Sequence, residues 1–127
     1  MARLLKIRGE DAEISVELGE GPTAEVLWEA LPIESRASLW GEEIYFPIPL
    51  SVEGEPDARE EVEVGTVAYW PPGDALCLFF GPTPASTDER PRAASPVTVI
   101  GKIASGIEDC RRVSSGELLR VEAAGEK

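Results

Sequence analysis

Histidine, asparagine and glutamine occur nowhere in the 127 residues. What remains for side-chain chemistry is Asp/Glu, Arg/Lys, Tyr, Ser/Thr and Cys, so the usual base of a Ser or Cys nucleophile is missing. Cysteine is scarce as well. Cys77 and Cys110 stand far apart, with neither the CxxC spacing of a zinc site nor the density of a disulfide scaffold. Cys77 lies inside an apolar run and reads as a buried free thiol. No DxDxDG-type loop offers calcium ligands, and N and S donors are few, so neither a metal nor a cofactor is expected. No apolar run approaches the roughly 20 residues of a membrane span. The start, MARLLKIRGED, is too short and too interrupted for a secretory signal, so a cytoplasmic location without a membrane partner is expected. Basic residues are outnumbered, 12 against 24 acids, for a net charge of -12. Such a surface repels phosphate backbones, and nucleic acid is not an expected partner. Loss of both amides beside abundant Glu, Arg and loop Pro is the composition that chemical wear at high temperature selects, which suggests a thermophilic source.

The length fits one domain over residues 1–127 with one core. Residues 3–8 and 12–18 read as two strands around a turn; in the second, Ile14, Val16 and Leu18 alternate with polar residues. GEGPTAEVLWEALP (19–32) predicts a short helix that starts at Pro22 and Thr23, carries Val26, Leu27 and Ala30 on one side, and stops at Pro32. EEIYF (42–46) is a strand, and the Pro- and Gly-rich stretch 47–60 is irregular edge and loop. EEVEVG leads into TVAYW, WPPGD turns the chain into ALCLFF, and residues 81–96 form a polar loop long enough to wall a site. VTVIGKI, a second short helix SGIEDCRR and a last strand ELLRVEAA complete the chain, with residues 123–127 expected to fray. This spacing predicts a mainly β fold, a closed antiparallel barrel of about eight strands with two short capping helices.

Three segments, LWGEEIYF, YWPPG and FFGPTP, offer an aromatic groove, supplying Trp40, Tyr45, Tyr69, Trp70, Phe79 and Phe80 with Glu42, Glu43, Thr83 and Ser95. Strand alternation restricts it: Val67 and Tyr69 oppose Ala68 and Trp70, and Leu76, Leu78 and Phe80 oppose Cys77 and Phe79. Half of these aromatics therefore belong to the core, and packing is the competing account of Phe79, Trp70 and Tyr45. WPPG forms a rigid turn whatever it binds, since Pro71 and Pro72 fix two backbone angles and Gly73 permits a positive φ. The same turn can hold Trp70 as a platform. Glu42 and Glu43, adjacent in a strand, point to opposite faces, so one can face a groove while the other is solvated.

The order PTAEVLWEAL, AYWPPGDALCLFFG, VTVIGKIASGIEDCRRV resembles the cyclophilin fold. More closely, LWGEEIYF, VAYWPPGDALCLFFGPTP and SPVTVIGKI look like a small prokaryotic cyclophilin-like family whose members have the barrel and no established activity. The likeness runs roughly from Pro22 to Val121. Laid without gaps on the cyclophilin pattern, it implies Phe80 in the place of a proline-pocket Phe and Ala68 in that of a small groove residue. It also implies Leu78 where cyclophilins carry a glutamine, Tyr69 where they carry an asparagine and Val97 where they carry a histidine. Arg36 has the wrong spacing for the essential arginine. With one electrostatic donor worth about 2.7–4 kcal/mol against a barrier near 20 kcal/mol, efficient prolyl isomerisation is not expected.

The resulting expectation is a cyclophilin-like domain that binds a small molecule or an extended peptide, with Ala68, Tyr69, Trp70 and Phe80 lining the groove and Trp40, Glu42 and Thr83 near its rim. Weak residual isomerase activity, and an assembly role as a homo-oligomer through an edge such as PIPLSV (47–52), are the alternatives.

Overall fold

The computed structural model describes residues 3–126. Ten strands and one α-helix follow in the order β1 (Arg3–Arg8), β2 (Glu13–Leu18), α1 (Pro22–Ala30), β3 (Ile33–Arg36), β4 (Ser38–Leu39), β5 (Glu43–Pro47), β6 (Arg59–Glu61), β7 (Thr66–Trp70), β8 (Ala75–Phe79), β9 (Arg92–Ser105) and β10 (Leu118–Glu126). The expected second short helix forms as a 3-10 segment, Ile107–Arg112, and a 3-10 turn, Pro71–Gly73, joins β7 to β8.

All the ladders are antiparallel, in the sheet order β3-β10-β1-β2-β9-β7-β8-β5-β4, with β6 added on β9. The expected closed barrel is corrected in one respect: no ladder joins the two end strands. Those ends, β3 and β4, are nevertheless consecutive in the chain and separated by Ala37 alone. Ala37 donates its N–H to Glu117 O at 2.8 Å and accepts from Gly116 N at 2.7 Å, so the seam is tied to the turn before β10.

The expected β1–β2 hairpin forms because its apolar residues repeat every second position. Leu5 and Ile7 from β1 and Ile14, Val16 and Leu18 from β2 enter the core, while Lys6, Arg8 and Glu13 pair on the outside. Of residues 123–127, expected to fray, 123–126 belong to β10, with Ala123 opposite Leu5 and Gly125 opposite Leu4, and Lys127 lies outside the described residues. In α1 the buried side is Thr23, Ala24 and Leu27, and Val26 points outward. Glu55 supplies the missing cap of this helix, its carboxylate accepting the Thr23 N–H at 3.2 Å. PIPLSV, expected as an open edge, turns inward beyond Pro47, with Ile48 and Leu50 buried in the main core and Val52 packed against it.

Two apolar layers lie on opposite faces of the β7–β8 hairpin. The larger is the interior and includes Val67, Tyr69, Leu76, Leu78 and Phe80. The smaller is Val62, Ala68, Cys77, Phe79, Ala93 and Val97, with Tyr45 and Trp70 at its margin. Strand parity alone divides the hairpin between them.

Candidate functional site

Two turns frame the smaller layer. Between β4 and β5, Trp40 and Glu43 exchange backbone hydrogen bonds of 2.9 and 3.2 Å across the two-residue turn Gly41–Glu42. Gly41 occupies its first position with φ +60, the glycine placement of a II′ hairpin turn. A side chain there would also meet Thr83 Cα at 2.8 Å. At the second turn, Trp70 ends β7 and its ring lies over Gly73, where a Cβ would stand 2.7 Å from the indole. The indole N–H donates to Ser95 Oγ at 2.7 Å. WPPG is therefore a rigid turn and a platform for Trp70 at once.

Between these turns opens a cleft of about 230 Å³ lined by Trp40, Glu43, Tyr45, Trp70, Ala93, Ala94 and Val97. Glu43 and Tyr45 reach it together because they are two apart on β5. Ala93 and Ala94 come from the stretch expected as a loop wall, which is here the first part of β9.

Glu43 is the unusual group. Its side chain is buried, with the residue only 5% exposed, and its Oε1 has no hydrogen-bond partner. Removal from water pushes its carboxyl up to about 7, opposed in part by a hydrogen bond from Cys77 on β8. The same burial, with the Glu43 charge next to it, raises the Cys77 thiol well above its ordinary value. Cys77 is thus an inert thiol beneath the cleft rather than a nucleophile. No group of three or more His, Cys, Asp or Glu side chains suited to a metal ion occurs among the described residues. Likewise, no helix among them is long and apolar enough to cross a membrane.

A family model described as Cyclophilin-like matches residues 3–122. The chain belongs to the cyclophilin-like family. Its fold is also that of the solution structure of a hypothetical protein from Archaeoglobus fulgidus, at 47% identity and a TM-score of 0.83, covering 97% of this chain and 95% of the other. No curated protein sequence matches the chain.

In this cyclophilin-like domain the residues expected to form one groove fall on two faces. Trp40 and Trp70 line the cleft, and Ala68 lies fully buried in the layer beneath it. Tyr69 is wholly interior: its hydroxyl donates to Asp74 Oδ1 at 2.8 Å and accepts the Val52 N–H at 3.2 Å. Phe80 also belongs to the interior layer, under the Arg111 guanidinium at 5.4 Å. Glu42 pairs with Arg111 at 2.5 Å, so the pair of acids divides as alternation demands, with Glu43 as the cleft member. Thr83 organises the 81–91 loop, its hydroxyl donating to Arg92 O and accepting the Ala85 N–H at 3.2 Å.

The same parity bears on the gap-free match to cyclophilins. Leu78, Tyr69 and Phe80 face the interior, whereas Ala68 and Val97 lie on the cleft side. Five positions split in this way do not share a groove. Arg36, on β3, donates to Gly116 O at 3.0 Å and serves the seam. The cleft members not singled out from the sequence are Ala93 and Ala94; short apolar side chains between charged residues and Pro96 carry little strand signal.

Proposed function

We propose that this cyclophilin-like domain is a binding module that takes a small molecule, or one side chain of an extended peptide, in the cleft between Trp40, Tyr45 and Trp70. The observation that carries this reading is the buried Glu43 oxygen without a partner in an otherwise aromatic and aliphatic recess. Buried polar groups are almost always satisfied, so one left open in a residue that lines a cleft points to a bound partner. Aromatic walls with a few polar groups are the ordinary construction of ligand sites. Catalysis is not part of this reading, since no cationic side chain, thiol or second carboxylate lines the cleft beside Glu43 to share a proton transfer.

Two of the three tryptophans stand at the cleft, so their fluorescence reports on it. A metabolite and peptide library screened by fluorescence and melting temperature is expected to yield ligands whose effects are lost in Trp70→Ala and Tyr45→Ala. A broad library without a hit, or hits unaffected by both substitutions, refutes the proposal.

A further inference from the structure

The chemistry of the cleft narrows what it can hold. Its walls contain no cationic side chain, and one oxygen of its single acid lacks a hydrogen-bond donor. The other buried carboxylate oxygen without a hydrogen bond, Glu42 Oε1, lies against Arg111 and needs nothing further. The indole N–H of Trp70 is already committed to Ser95. A ligand must therefore bring an N–H or O–H to Glu43 and an apolar surface to the rings. Positive charge satisfies both walls together, because a cation is attracted by a carboxylate and by the electron-rich faces of Trp and Tyr. The net charge of -12 raises the local concentration of cations and lowers that of anions. At about 230 Å³ the cleft is smaller than the roughly 300–1,000 Å³ of sites for drug-sized ligands, which suits one head group on a short chain.

Given that the cleft is a binding site, we infer that it takes an alkylammonium group, the N–H donated to the Glu43 carboxylate and the alkyl stem packed among Trp40, Tyr45 and Trp70. A quaternary ammonium has no hydrogen to donate and is the weaker ligand. The proton on Glu43 competes with the ligand, so binding follows the ionised carboxylate. Groups around Glu43 do not replace this titration. Cys77 from β8, its thiol raised well above the ordinary value, carries no charge at neutral pH. Glu42 is paired with Arg111, and on the flanking strands Arg92 is bonded to Glu60 at 2.8 Å.

The test is a calorimetric or NMR titration of the whole protein with n-butylammonium chloride, against butanol, tetramethylammonium and butyrate. Butylammonium is expected to bind most tightly, and about tenfold more weakly at pH 6 than at pH 8. Glu43→Gln is expected to weaken it at least tenfold at pH 8 and to remove the pH dependence. Trp40→Ala retains the acid and is expected to weaken binding several-fold. N-acetyl-lysine methylamide separates the two sources of the group: binding equal to butylammonium identifies a lysine side chain, and weaker binding identifies a free amine. Equal affinity for butanol, a flat pH profile, or unchanged binding in Glu43→Gln overturns the inference. If a neutral or anionic library ligand binds at Trp70 and butylammonium does not, the ammonium inference falls while the binding module stands. If no library member binds, both fall.

Discussion

Replacing Glu43 with glutamine is expected to stabilise the protein, and only at neutral to alkaline pH. The carboxyl titrates at about 7 in the folded chain and at an ordinary 4.5 when the chain is unfolded. Between these values the folded state holds the proton more tightly, so the group contributes stability below pH 4.5 that is lost as pH rises through 7. Converted at about 1.36 kcal/mol per pH unit, the loss comes to about 3.4 kcal/mol by pH 8, of which about 2.5 kcal/mol falls between pH 5 and pH 8. Glutamine has nearly the same shape and never ionises. Urea denaturation of both proteins at pH 5 and pH 8 isolates the effect, because the difference between them cancels every other titrating group. At pH 5 the two are expected to lie close together. At pH 8 the variant is expected to be more stable by about 2–3 kcal/mol, a large share of the total for a domain of this size. A difference that does not change with pH refutes the burial of an ionisable Glu43, and with it the argument that the cleft awaits a donor.

Tyr69→Phe removes the acceptor of the part-buried Val52 N–H and the donor to Asp74 and is expected to cost about 1–3 kcal/mol in chemical denaturation. Ligand affinity at the cleft should not change, since the phenol lies on the other face of the hairpin. Gly41→Ala places a Cβ at φ +60 against the backbone of Thr83 and is expected to cost at least about 1–3 kcal/mol. It should also displace Trp40, visible as altered tryptophan emission. A protease-coupled assay with a proline peptide is expected to give the uncatalysed isomerisation rate; acceleration above it would contradict the division of the matched positions between two faces.

Period-two alternation made the β1–β2 and β7–β8 hairpins legible in the sequence, and it separated Tyr69 from Trp70 and Glu42 from Glu43 correctly. What it could not supply was which side of each strand was the interior. Both faces of β7 and β8 are apolar, since each packs against a layer, and Phe80 reads as well for one as for the other. The strands β3 and β4 were missed for a different reason. IESRASLW has weak β preference: β3 is imposed by β10, far away in the chain, and β4 is only two residues of a hairpin with β5. The first part of β9 was read as loop because Arg92, Ser95 and Pro96 resemble a connection locally, although Arg92 and Val97 face β6 across a ladder. The family likeness was carried by whole segments and survived; its transfer to single positions did not, because an alignment without gaps takes no account of the face to which a residue points.

The seam at Ala37 has a consequence for how the chain can be cut. A sheet with two free margins invites pairing with a second copy, and here the margins are held together by one peptide unit rather than by a ladder. A circular permutant with new termini at Ala37 would keep every strand-to-strand hydrogen bond of the fold. It would lose the covalent stitch and loosen the two hydrogen bonds of Ala37 to the turn before β10, leaving an open ribbon whose two edges can find partners in another molecule.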